Sequence, residues 1–281
     1  MAILTFTRLS LREASRSRVL ALAFGLTLLY IGLVGWGSKA IADHSPNALA
    51  AVSSAAGLEL VAFFFGSFML ALLAVFVAGH SLRQEAENGL LLAILAKPVR
   101  RLDVLAGRWL GSALILAAWV ALFTAGVVLA VGLAVGFYPP APAQAGVLML
   151  LESLVVLSLR LLFGSFLGTL ASGIVPLLAW GLARIAGLVE IVGKSLGISS
   201  MVTAGIATSL VIPTDVLSRG ASYFLLPDLL GLAGQDLAAS AARGNPFASV
   251  APIAGPMVVW SVLYVLVMVA AAARIFSRRD V

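Results

Sequence analysis

Long apolar stretches alternate with short charged ones along this chain. Six apolar runs approach or exceed the ~20 residues that a helix needs to cross about 30 Å of hydrocarbon. They occupy residues 19–37, 58–79, 109–137, 146–167, 170–189 and 253–273. The third is long enough to tilt or to protrude. The fourth and fifth are joined by a few uncharged residues, 168–173, which predicts a tight helical hairpin. Ahead of the first run, residues 2–17 carry Arg8, Arg12 and Arg16 at every fourth position, with Ile3, Leu4, Leu11 and Ala14 on another face. That period predicts an amphipathic helix lying in the interface plane, arginines toward the headgroups. Residues 197–212 are apolar but short for a span, and Pro213-Thr214-Asp215 breaks them. A re-entrant or interfacial helix is expected there. Further outer helix and turn are expected over 223–236 and 243–246.

Composition turns this pattern into a class. Of the 281 residues, 62% are hydrophobic and 11% charged, against roughly 45–50% and about 25% in soluble domains. So little charge cannot cover a soluble globule, which excludes a cytosolic enzyme and a disordered chain. The expectation is all-α: a polytopic membrane protein with six transmembrane helices preceded by an N-terminal amphipathic (elbow) helix. One domain spans 1–281, with the elbow at 1–18, a cytoplasmic loop at 80–108 and an extracytoplasmic or re-entrant segment at 190–252. Residues 40–42 resemble a cleavage site, but the apolar run before them is too long for a signal sequence and five more follow. The chain has no cysteine, so it makes no disulfide and no thiolate metal site.

The net charge of +6 is sorted by side. Residues 1–18 hold four arginines against Glu13; residues 80–108 hold five bases against Glu85, Glu87 and Asp103; the tail holds Arg274, Arg278 and Arg279 against Asp280. These pieces are net positive, whereas the connections at 38–57 and 190–252 are net negative. The positive-inside bias places the basic pieces, and both termini, in the cytoplasm. The basic total is therefore a topology signal and not a nucleic-acid footprint.

The segment RQEAENGLLLAILAKPVRRLDVLAGR, residues 83–108, carries the functional reading. It runs from a polar start through a short apolar helix to a break at Pro98, a basic turn and the approach to span three. An apolar helix held outside the bilayer needs a groove, which a soluble partner can supply. Glu85, Glu87, Gly89, Leu91, Leu92, Pro98, Arg100, Gly107 and Arg108 stand in an order that resembles the first cytoplasmic loop of ABC-2 type permeases, the membrane subunits of ABC transporters. The basic N-terminal helix and the ending ARIFSRRD are similar to that family's elbow helix and tail. Pro213-Thr214-Asp215 and Asn245-Pro246-Phe247 resemble bacterial members related to the nitrous-oxide reductase maturation permease.

The resemblance implies a permease subunit with no ATPase motif of its own. It implies a second copy in the membrane and an ABC ATPase partner that binds ATP and Mg, so the chain itself needs no cofactor. Glu85, Glu87, Gly89, Leu91, Leu92, Pro98, Arg100 and Arg101 become coupling-loop positions, although plain inside-positive topology also accounts for the two arginines. The implied activity is export across a bacterial cytoplasmic membrane. The segment 190–252 is large enough to dock a periplasmic or accessory protein. An ion-driven secondary transporter and a non-transporting scaffold are the competing classes.

Three ionisable residues fall inside spans: Glu152 and Arg160 in the fourth and Arg184 in the fifth. Charge at depth must face protein or a wet cavity. They form either a polar stripe along a translocation path or a structural ion pair. Glu59, at the start of span two, is expected at the outer interface. Among small pairs, Gly164 and Gly168 at the hairpin are favoured over Gly107 and Gly111 for close helix packing. Residues 187–195 approach a phosphate loop, but five residues separate the glycines where four are needed and no strand precedes them. The two histidines, His44 and His80, lie on opposite sides and share no metal. No nucleophile–base set is present, so no catalytic or metal residue is expected.

The absence of cysteine makes topology directly testable. A cysteine placed at Ser277 or Lys97 is expected to react with an impermeant maleimide only from the cytoplasmic side. One at Ser45 is expected to react from outside, and the opposite pattern would reverse the assigned orientation.

Overall fold

The computed structural model describes residues 2–78, 101–226, 248–249 and 251–277, and side chains throughout these except at 2, 3, 15 and 101. The described residues form helices α1 (Ala2–Ser15), α2 (Arg18–His44), α3 (Ala48–Val77), α4 (Arg101–Val135), α5 (Pro142–Gly164), α6 (Thr169–Leu196), α7 (Ser199–Val211), α8 (Thr214–Tyr223) and α9 (Gly255–Ser277). Six of them, α2 to α6 and α9, are long and apolar enough to cross a membrane. They coincide with the six apolar runs. The helices outlast the runs because capping and small residues extend them: Ser17 caps α2 by accepting from the Leu20 amide, and the Asn47 side chain caps α3 at 2.8 Å from the Ala50 amide. Helix α2 runs unbroken through residues 40–42 to His44, whose Nδ1 bonds the Ala40 carbonyl at 2.8 Å.

The elbow helix α1 forms where the arginine period placed it, with Arg8, Arg12 and Arg16 exposed. It lies against the first turns of α4. Buried Thr7 donates to the Gly107 carbonyl at 3.2 Å, and a Cβ at Gly111 would stand 2.6 Å from that of Ser10. Of the favoured pair at the hairpin, Gly164 is buried. Gly168 caps α6 with open space around it, whereas the Gly107–Gly111 turn is where two helices touch. The expected α5–α6 hairpin is present, with residues 165–168 between the helices.

An aromatic cluster locks α2, α3 and α4 together. Trp119 stacks on Phe123 with centroids 5.0 Å apart, and its indole N–H donates to Thr27 of α2 at 2.8 Å. Phe63 of α3 meets Phe123 edge-on at 5.4 Å. Burying rings of this size supplies contact area that lipid cannot replace with the same fit.

After α6 the chain reverses at Gly197, whose φ of +70° suits a residue without Cβ. Helix α7 then packs back on α6. The return is close: a Cβ at Gly205 would collide with the Glu190 Cβ and approach the Ala186 carbonyl at 3.0 Å. Helices α7 and α8 meet at Pro213 with a 100° bend. Their 13 and 10 residues span only about 20 and 15 Å, so neither crosses alone. Helix α9 holds the joint, the Trp260 indole donating to the Leu210 carbonyl at 2.9 Å. The apolar stretch 197–212 is thus the first limb of a broken helix pair. The expected outer helix at 223–236 and the turn at 243–246 fall almost wholly outside the described residues; within them, helix α8 ends at Tyr223.

The close return of α7 gives a direct test. Gly205→Val wedges α7 from α6 and is expected to cost about 1–3 kcal/mol. The readout is a thermal midpoint in detergent several degrees below the parent's; an unchanged midpoint would show the hairpin to be loosely packed.

Candidate functional site

Arg184 stands near the middle of α6 and is 8% exposed. One face of this helix presents Trp180, Arg184, Gly187 and Ile191 at three- and four-residue steps, as helical geometry requires for a common face. The guanidinium reaches three other helices. Its Nη2 donates to Glu152 Oε1 of α5 at 2.7 Å and to Ser67 Oγ of α3 at 2.7 Å. Its Nη1 donates to Ser218 of α8 and lies 3.8 Å from Asp215 Oδ1. The plane also sits over two rings, 5.1 Å from the Trp180 centroid and 5.6 Å from that of Phe64.

The acids around it are paired in turn. Glu152 accepts from the Trp180 indole at 2.8 Å and from Ser67 Oγ at 2.6 Å. Asp215 lies 2.8 Å from Arg219 Nε, one turn along α8. Arg219 donates to Glu190 Oε2 at 2.9 Å, and Lys194 donates to Glu190 Oε1 at 2.6 Å. Three acids and three bases therefore alternate in one chain that runs from buried Glu152 on α5 to exposed Lys194 at the end of α6. A guanidinium suits the centre because its planar fork serves several acceptors at once. Gly187 makes the approach of α8 feasible: a Cβ there would overlap the Asp215 carboxylate.

A cavity of about 410 Å³ lies against this network. Glu152, Arg184, Asp215, Ser218 and Arg219 line its polar side. Phe63, Phe64, Phe65 and Phe68 of α3, with Trp180, Ile185, Leu188 and Ile191 of α6, line the rest. Ile185 is 59% and Phe65 50% exposed. The rim is thus made by two spanning helices.

The structure brings Glu152 and Arg184 together as an ion pair, one of the two arrangements expected. Arg160 is separate: it is buried near the other end of α5, and its Nη1 donates to Ser172 Oγ at 2.6 Å. One expectation is corrected. Glu59 is not interfacial. Helix α3 starts at Ala48, because the Ala- and Ser-rich stretch before Glu59 packs as helix, and Glu59 is fully buried about three turns inside. Glu190, Lys194, Asp215 and Arg219, from the segment 190–252, join the network. Helix α6 continues to Leu196, and the pairing of Glu190 lets the extra turns pack against α8. The spacing of Glu190 with Lys194, and of Asp215 with Arg219, was the available signal.

Gly187 and Gly193 lie inside one helix and meet Asp215 and Met201, so the near phosphate loop is a packing feature. No group of three metal-ligating side chains occurs among the described residues. Glu85, Glu87, Gly89, Leu91, Leu92, Pro98 and Arg100, like His80, lie outside the described residues; Arg101 opens α4, with its side chain outside them.

Residues 9–166 match the family described as ABC-2 family transporter protein. The chain belongs to that family. It is accordingly a multi-pass membrane subunit of an ABC transporter, and family membership implies an ABC ATPase partner and dimerisation in general. Among curated proteins there is no match. The matched stretch ends after α5. Ser67 and Glu152 of this ABC-2 protein therefore lie within it, while Arg184, Glu190, Asp215 and Arg219 lie beyond it.

A buried ion pair contributes little net stability, yet removing one partner strands the other at a cost of about 3–5 kcal/mol. Arg184→Ala is expected to lose that much, because Glu152 and Asp215 are both left facing it. The double change Glu152→Leu with Arg184→Leu removes one charge of each sign and is expected to recover most of the loss. Thermal midpoints of the two variants and the parent make the comparison, and equal losses would show that pairing is not the cause.

Proposed function

We propose that this permease moves substrate out of the cytoplasm or inner leaflet of a bacterial cytoplasmic membrane, driven by ATP hydrolysed on its partner subunits. The observation that carries the reading is the family match over residues 9–166, which runs from the middle of α1 to just past the end of α5. Two copies of the chain form the membrane unit, and both termini face the cytoplasm. Residues 80–108 receive the ATPase, with Glu85, Glu87, Gly89, Leu91, Leu92, Pro98, Arg100 and Arg101 as the coupling positions.

Physical support comes from how α1 meets α4. The elbow helix meets the first turns of α4, where the coupling segment ends: Thr7 donates to the Gly107 carbonyl, and Ser10 packs against the place that Gly111 leaves without a side chain. A push on residues 80–100 thus reaches α4 and α1 as one body. From α4 it passes through the Trp119–Phe123 cluster to α2 and α3, and Ser67 of α3 touches Arg184. Packed side chains transmit such displacement because interiors are dense and barely compressible.

Purification of the tagged chain together with the products of neighbouring genes is expected to capture a P-loop ATPase. The paired change Glu85→Ala with Pro98→Ala is expected to lower that capture at least about tenfold, or 1.4 kcal/mol, with the thermal midpoint of the permease unchanged. Absence of any ATPase, with no effect of the paired change, would overturn the reading in favour of an ion-driven carrier. An ATPase that binds without any cargo crossing reconstituted vesicles would favour a scaffold.

A further inference from the structure

The cavity beside Arg184 has features that structural ion pairing alone leaves unexplained. Its polar side carries two carboxylates, Glu152 and Asp215, and two guanidiniums, Arg184 and Arg219, so it is charge-balanced. All four side chains are held by neighbours at fixed positions. Arg184 nevertheless keeps one buried donor, Nε–H, with no acceptor among the described residues. The opposite wall is aromatic and aliphatic, and the exposed rim residues Phe65, Ile185 and Leu188 sit on two membrane-spanning helices. An apolar, exposed rim on two such helices suits entry from within the plane of the membrane.

We propose that this cavity, within a single copy of the chain, binds an amphiphile whose polar end carries no net charge, a zwitterionic lipid being the occupant that fits. Its polar end meets the Glu152–Arg184–Asp215 side. Its apolar body lies between Phe64, Phe68, Ile185 and Leu188. A net anion or cation would leave one unbalanced charge in a poorly solvated site, where charges interact far more strongly than in water. The volume of about 410 Å³ falls within the roughly 300–1,000 Å³ of small-molecule sites. It takes the polar end and the first part of the apolar body, the remainder staying in the bilayer. That this occupant is the cargo rests on the permease reading above.

The test uses the full chain in vesicles and three photoactivatable lipids with identical diazirine-bearing chains: a phosphatidylcholine, a phosphatidylglycerol and a cationic trimethylammonium diacyl lipid. The phosphatidylcholine is expected to label residues 64–68 and 180–188 at least about tenfold more than either charged probe, a factor worth 1.4 kcal/mol. Ile185→Trp fills the rim and is expected to reduce that label about tenfold with an unchanged size-exclusion profile. Glu152→Gln leaves the polar side one unit positive and is expected to shift the preference to the phosphatidylglycerol. Equal labelling by all three probes, or labelling indifferent to Ile185→Trp, would overturn the site. If Glu152→Gln does not fold, the Ile185→Trp comparison decides alone.

Labelling needs no ATPase, so failure to capture one would remove the permease reading and leave this result standing. With the ATPase present, ATP is expected to change the extent of labelling; an unaltered extent would overturn the cargo assignment and retain the site.

Discussion

A guanidinium buried among apolar helices must be surrounded by acceptors, and Arg184 obtains them from three directions. Glu152 comes from α5, Ser67 from α3 and Ser218 with Asp215 from α8. No single neighbouring helix offers enough acceptors, so the four elements have to converge on one point. The convergence then propagates. Asp215 needs a second base and takes Arg219; Arg219 reaches Glu190; Glu190 takes Lys194 at the end of α6. In a medium that solvates charge poorly, each pairing creates the demand for the next until the chain reaches an exposed end, where Lys194 is more than half exposed.

The broken helix pair follows from the same requirement. Helix α7 is apolar along its outer face, with Ile206, Leu210 and Val211 exposed, while α8 buries Thr214, Asp215 and Ser222. A polar helix of ten residues would not enter a membrane-embedded bundle unaided. The bend at Pro213 turns it inward, the missing side chain of Gly187 admits its carboxylate, and the Arg184 and Arg219 pairs offset its desolvation. The gain over an apolar alternative is small in free energy. What the arrangement supplies is a lined cavity with fixed dipoles.

The molecule therefore divides by chemistry. Helices α1 to α4 are held by rings and close small-residue contacts, and α5 to α8 by charge, with Ser67 and Glu152 at the seam. The family match covers the first part and stops short of most of the second. Residues 9–166 are thus what relates this chain to other ABC-2 family proteins, and the polar cavity wall lies largely in the part that the match does not reach.

Hydrophobic period and charge asymmetry already determined six spanning helices, the amphipathic α1, the α5–α6 hairpin and the apolar limb that became α7. These follow from local physics: a helix satisfies its own backbone, and apolar length and flanking charge decide where it lies. The order of residues in 83–108 likewise carried the family. Tertiary structure alone decided which charges meet. Glu152 and Arg184 are 32 positions apart and Arg184 and Asp215 31, and nothing periodic links them. Arg160 looked equivalent to Arg184 but faces Ser172 instead. Glu59 looked interfacial because helix α3 begins three turns earlier than hydrophobicity alone suggests. The close approach at Gly111 was not legible in the sequence for a related reason: a missing side chain matters only where another helix arrives, and that is a property of the assembled bundle.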